Sequence, residues 1–415
     1  MNVGGLLLLL YSFSSLMAVV IYNTDFLPYR NQTIALSSCI YYCGFLTLFI
    51  HPFLYKKQVC AASILRVNTR TFMFVSYALI IISFIGIVLS SRSILFVLTH
   101  DPGSFKTRTM NLGSSTNFGA IDIAGQYVLG HFSDFYIVLL LLFFYSVCFL
   151  NNKTIFNTLL LLSSMTTILN GMYSGGRTQL IYWVLIYIAC YIYFKKHIPN
   201  NRKRYLHATI IGFGIIFALY FISVSIFRFE DTYNIVNAKE SVLYTIAEYC
   251  GMSFLQFNDF FVNFKDDNFT IARIFPISHD LFSSSNFDLV RYRQSLSMDI
   301  GTFYTFLGDL FVDVGIWGTV VYLIGYRILF GLTQRPQPNN AKCFHQILIY
   351  FMLLQIPLNG LFFYSLWNKT ATIAVTGTIL LFILFKLSER STGKRVEALN
   401  PGHLRKPGMM SPEKF

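Results

Sequence analysis

Residues 133–150 read SDFYIVLLLLFFYSVCFL, and within them Val138–Phe144 is apolar without interruption. A barrel strand alternates polar and apolar side chains, so this run is read as a helix and not as a barrel wall. A helix needs about 20 mostly apolar residues to cross a bilayer, where its backbone polar groups must be satisfied within the segment. Working outward from residue 133, the same reading gives ten candidate spans: 3–22, 33–54, 72–91, 133–150, 155–173, 178–194, 208–227, 303–330, 344–366 and 370–387. Composition agrees with them. Of the 415 residues, 54% are hydrophobic, 43 are Phe and only 12% are charged, against about 25% charged in an ordinary soluble domain. Mean hydropathy is +0.55. So much apolar surface exceeds what a soluble chain of this length can bury, which excludes a soluble globular enzyme and a disordered chain. The expected fold is an all-α polytopic membrane protein with about ten transmembrane helices.

Net charge is +13, which in a soluble protein would point to nucleic acid. Sorted by loop, 20 of the 32 bases fall after spans 2, 4, 6 and 8 and in the C-terminal tail, on the same side as only three acids, Glu389, Glu397 and Glu413. One face then carries about +17 and the other about −4, a positive-inside pattern that places both termini in the cytoplasm. No support for nucleic-acid binding remains. The expected organisation is a single transmembrane domain over 1–387, including an exofacial loop at 228–302, followed by a basic, disordered cytoplasmic tail at 388–415. Span 1 lacks a positive n-region and a clear cleavage site, so it is read as a retained helix and not as a signal peptide. The seven cysteines form neither a framework nor a metal-spaced motif. His345, like His51, His131 and His207, is read as an interfacial residue at a span end.

Two exofacial loops are long. Residues 92–132 are rich in Gly and Ser and read as irregular. Residues 228–302 hold ten acids and six bases, and loops of such length usually carry function. Within the second loop, Leu243, Ile246, Cys250, Phe254, Phe257 and Phe261 recur at steps of three and four, which predicts an amphipathic helix over 239–263. That helix either lies at the lipid surface or packs on the top of the bundle.

The arginines of this face call for an explanation, because the positive-inside rule depletes them there. Arg177 sits in the short turn between spans 5 and 6, Arg228 at the outer end of span 7, and Arg273, Arg291 and Arg293 in the large loop. Their rigid forks suit phosphate, so the five are candidates for binding a lipid-linked pyrophosphate. His279, Asp280 and Glu248 are candidate general bases, and the sequence does not choose among them. Asp309 and Asp313 lie at i, i+4 inside an apolar span. Such intramembrane acids are expensive and are a functional hypothesis by default, although pairing with an exofacial Arg would also account for them. Gly315 and Gly318 would let another helix approach closely.

Ser-Gly-Gly-Arg-Thr at 174–178, the late exofacial loop, and Gly-Asp-x-x-x-Asp-x-Gly-x-x-Gly at 308–318 together resemble the Wzy-type oligosaccharide repeat-unit polymerases of bacterial O-antigen and capsule. The resemblance implies a GT-C-like glycosyltransferase architecture in the bacterial cytoplasmic (inner) membrane. The implied activity is exofacial and needs no metal or other cofactor. It would lengthen a glycan carried on undecaprenyl pyrophosphate, using a lipid-linked repeat unit as acceptor. Arg177 and Arg228 match the outer loops in which the family places its essential arginines. The implied partners are the undecaprenyl-pyrophosphate-linked oligosaccharide, membrane lipid and a polysaccharide chain-length regulator. Two other readings stand beside this one. An O-antigen ligase would use the same donor with a lipid A-core acceptor, and a lipid-linked oligosaccharide flippase or other transporter would show charged spans and repeated halves.

Overall fold

The computed structural model describes residues 2–23, 33–54, 64, 67–92, 94–95, 120–150, 152–173, 178–233, 238–263, 274, 305–334, 342–366 and 369–391. Among these the chain forms thirteen helices of eight residues or more and no strand. In chain order they are α1 (Val3–Tyr22), α2 (Leu36–Leu54), α3 (Thr69–Leu89), α4 (Ala120–Ser133), α5 (Tyr136–Phe149), α6 (Thr154–Ser164), α7 (Thr166–Tyr173), α8 (Thr178–Phe194), α9 (Asn200–Tyr233), α10 (Ala238–Asn263), α11 (Thr305–Thr333), α12 (Phe344–Asn359) and α13 (Lys369–Ser391). Six stretches among the described residues are long and apolar enough to cross a membrane: α1, α2, α3, α6 with α7, α11 and α13. A seventh is the pair α4–α5 if its two bent halves make one span. The chain is thus a multi-pass membrane protein, all-helical among the described residues.

Its outward faces say the same. On α11, Trp317, Val321, Ile324 and Ile328 are exposed at helical spacing, and Trp317 is 82% exposed. On α3, Phe74, Tyr77, Ile81, Ile85 and Val88 form a like stripe. Contiguous apolar faces of this extent aggregate in water and are satisfied by lipid tails.

The helix read first, α5, is the centre of the bundle. Twelve consecutive residues, Tyr136 to Val147, are buried. A helix apolar on every face is stable only when neighbours surround it, and α3, α6, α8 and α12 pack on it. Its last carbonyls, Val147 O and Leu150 O, accept from Arg202 Nη1 at 2.8 and 3.3 Å. A cation at a helix C-terminus satisfies orphan carbonyls and complements the dipole.

Two prolines interrupt helices inside the bundle, and each freed carbonyl has a partner. Pro357 cannot bond to Leu353 O, which accepts instead from Tyr326 Oη at 3.3 Å. Pro52 leaves Leu48 O to Arg327 Nη2 at 2.6 Å. Within lipid a freed carbonyl must be satisfied by a neighbouring helix.

Several expectations change. The segment read as irregular is helical over its last part, because α4 begins at Ala120. Gly125 lets α4 lie against the Leu89–Ser90 backbone, a packing gain that outweighs the low helix propensity of glycine. The span read as 133–150 is therefore the second arm of a pair bent by 62°. The helix expected over 239–263 is present as α10, and it packs into the bundle rather than lying on lipid. Ser14 Oγ donates to Cys250 O at 2.6 Å, and a Cβ on Gly251 would stand 2.5 Å from Met17 backbone. Asn258 Oδ1 accepts from Ala35 N, and its Nδ2 donates to Thr33 O, both at 3.0 Å. α10 thus crosses the second half of α1 and the first half of α2.

Candidate functional site

The two buried acids lie at the head of α11. Gly315 takes φ 65°, ψ −169° and breaks that helix, a conformation essentially restricted to glycine. The break is braced from α2: Tyr41 Oη donates to Thr319 Oγ1 at 2.9 Å, and Thr319 Oγ1 donates to Gly315 O at 2.8 Å. Residues 305–314 therefore form a short arm set apart from the longer half. Gly315 makes the break, and a side chain on Gly318 would meet Val314 of its own helix.

Asp309 and Asp313 are 1% and 0% exposed. Each accepts from a backbone N–H brought in by another segment: Asp309 Oδ2 from Tyr364, and Asp313 Oδ2 from Ile274 at 3.0 Å. The turn after α12 also serves the start of α11, with Thr305 N donating to Phe362 O at 2.9 Å and Phe306 N to Gly360 O at 2.8 Å. Two orphan donors of the helix N-terminus are thereby satisfied. Tyr364 extends the arrangement, its hydroxyl 3.1 Å from that of Tyr322.

On the other side of this turn is a cavity of about 100 Å³. It lies where α5, α8 and α13 begin and α12 ends, so it shares one end of the bundle with the acids. Its polar lining includes Asp134, Gln179, Tyr182, Gln355, Asn359 and Ser365. Gln179 Oε1, Tyr182 Oη, Asn359 Oδ1 and Ser365 Oγ are buried there without a protein hydrogen-bond partner. Two of these residues are nearly inaccessible, Asn359 at 2% and Tyr182 at 7% exposure. Asn359 is oriented by donating from Nδ2 to Tyr136 Oη at 2.9 Å, and Asp134, in the α4–α5 break, accepts from Thr370 Oγ1 at 2.8 Å. Orphaned neutral donors and acceptors around a small cavity fit a hydroxyl-bearing guest or water, because each otherwise bears its full desolvation cost.

Of the residues singled out from the sequence, Asp309 and Asp313 are in this site. Arg177, Arg273, Arg291, Arg293, His279 and Asp280 lie outside the described residues. Arg177 immediately precedes Thr178, the first residue of α8, and Arg273 immediately precedes Ile274, the donor to Asp313. Arg228 lies on α9 and Glu248 on α10, both described through their backbone. Sequence reasoning missed Gln179, Tyr182, Asn359 and Ser365. Single neutral polar residues in separate spans carry no shared signal, and only folding brings them together. His345, at the start of α12, does not stand alone there: it is buried, with Nδ1 2.9 Å from Glu389 Oε2.

Comparisons of the chain with protein-family models, with curated proteins and with solved structures gave no match.

Proposed function

We propose that the chain is a membrane glycosyltransferase that polymerises oligosaccharide repeat units carried on undecaprenyl pyrophosphate, with its site on the exofacial side of a bacterial cytoplasmic membrane. The observation that carries this reading is the site at one bundle end, where the turn after α12 bonds to the buried Asp309 at Tyr364 and lines, with Phe363, Ser365 and Leu366, a cavity that orphaned neutral polar atoms face. A sugar ring presents the hydroxyls that such atoms recognise. The resemblance at 174–178 and 308–318 supports the same reading. So does adjacency in the chain, since Arg177 is next to the helix that brings Gln179 and Tyr182 to the cavity.

In this proposal the architecture is GT-C-like with ten spans. The six long apolar stretches and the bent pair are joined by α8, α9 and α12. The reaction forms a bond between an acceptor hydroxyl oxygen and the anomeric carbon of the donor. The bond from that carbon to the pyrophosphate oxygen breaks, and the pyrophosphate leaves with the electron pair. Arg177 and Arg228, with Arg273, Arg291 and Arg293, offset the charge that builds on the leaving group. His279, Asp280 or Glu248 takes the hydroxyl proton. Asp309 and Asp313 hold the turn at Tyr364 and the segment at Ile274 against α11, and so act as positioning residues.

The test is extension of a defined lipid-linked repeat unit by the purified protein, with no lipid A-core present. Long products are expected from the wild type, and single-repeat products from Arg177→Ala and Arg228→Ala at equal membrane abundance. Product that forms only when lipid A-core is supplied would show a ligase. Unchanged chain-length ladders in both variants would overturn the arginine assignment.

A further inference from the structure

The other end of α12 and α13 carries a second cluster, unrelated to the cavity. Cys343 precedes α12 as its N-cap, His345 stands in the first turn of α12, and Glu389 stands near the end of α13. A sulfur, a ring nitrogen and a carboxylate oxygen from these three lie within 4.8 Å of one another. Cys343 and His345 are buried, and the Glu389 side chain is 16% exposed.

The donors are held in place. Gln346 Oε1 accepts from Cys343 N at 3.1 Å while the Cys343 side chain accepts from the Gln346 backbone, a complete capping box. The His345 ring stands edge-on to Phe382, with centroids 5.2 Å apart. Ser388 Oγ lies 2.8 Å from Thr71 Oγ1, which fixes the end of α13 against α3. Lys342, next to Cys343 in the chain, donates instead to Thr333 O at 2.6 Å and Gln334 Oε1 at 3.1 Å. Cysteine is a weak choice for an N-cap, where Ser, Thr, Asp and Asn serve better. What a thiol adds is affinity for borderline-soft metals.

We propose that Cys343, His345 and Glu389 form a binding site for a zinc-class divalent cation. Sulfur, imidazole and carboxylate are zinc's usual donors, and three protein ligands with one water complete a tetrahedron. Thiolate and carboxylate together neutralise the ion's charge, so the loaded site is buried without net charge. Binding expels the thiol proton and replaces the His345–Glu389 hydrogen bond with two metal bonds. Metal competes with that proton, so affinity rises with pH. The loaded site would pin the start of α12 to the end of α13.

The test uses the untagged full-length protein, stripped with chelator and titrated with Co²⁺ in detergent. A thiolate-to-cobalt charge-transfer band is expected at one ion per chain, displaced by Zn²⁺ and absent in Cys343→Ser. In parallel, Zn²⁺ should raise the unfolding temperature of the wild type but not of His345→Gln or Glu389→Gln. No band in the wild type, an undiminished band in Cys343→Ser, or a zinc-induced shift retained by both other variants would overturn the proposal.

Discussion

α5 and the head of α11 are both buried, and they are buried for opposite reasons. α5 presents only apolar side chains over most of its length, and its neighbours satisfy it by filling space. The head of α11 brings two carboxylates to 1% and 0% exposure and gives one oxygen of each a backbone N–H donor from a distant segment. Apolar burial tolerates exchange of one hydrophobe for another, because packing is adjustable. A buried acid is tied to its donors, and removing either partner leaves the other orphaned. The difference separates a region held by packing from one held by particular hydrogen bonds.

The largest expected effect breaks the apolar side. Leu140→Ala, at a site with no exposure, should cost about 2–5 kcal/mol in unfolding, while the surviving folded fraction keeps its activity per molecule. Thermal unfolding and repeat-unit extension measured on the same preparation check both halves of that statement.

The acid side should respond differently. Asp309→Ala removes the acceptor of Tyr364 N–H and should lower stability by about 1–3 kcal/mol, with activity falling further than the folded fraction does. Asp309→Asn keeps an acceptor oxygen and sharpens the comparison. Near-native stability with lost extension would mean that the charge is needed. Near-native values of both would mean that only the hydrogen bond matters.

Gly315→Ala tests the break that sets the acid-bearing arm apart. At φ 65°, ψ −169° an alanine should cost about 1–3 kcal/mol, read as a lower unfolding temperature. The smallest effect is expected at Tyr326→Phe, which leaves Leu353 O without its donor. It should cost about 1 kcal/mol with unchanged extension. If Tyr326→Phe destabilised the protein more than Leu140→Ala, polar satisfaction at the prolines would matter more than packing.

The long apolar runs were legible because apolarity is local and crossing a bilayer demands it. Each of the ten runs overlaps a helix or a helix pair, the run read as 344–366 being helical only to Asn359, and the amphipathic period in the large loop gave α10 nearly to its ends. The start of α4 was not legible, since its glycines and the Ser-rich run before it argue for a loop until α3 is placed beside Gly125. The bend between α4 and α5 and the break at Gly315 were hidden inside continuous hydropathy. Of the site, the spacing of Asp309 and Asp313 was visible and their partners were not. Tyr364 and Ile274 stand 55 and 39 residues away from them in the chain.

By itself the sequence determined the solvent of this protein, because a chain with so few charges and ten long apolar runs can satisfy its backbone only as helices in lipid. Tertiary structure alone decided where polarity is kept within that apolar body. Asp309 with Tyr364, the orphaned atoms around the cavity, and Cys343 with His345 and Glu389 are each a meeting of segments far apart in the chain. Hydrogen bonding acts over about 3 Å and metal ligation over about 2 Å, and no local pattern of residue types records which distant segments come that close.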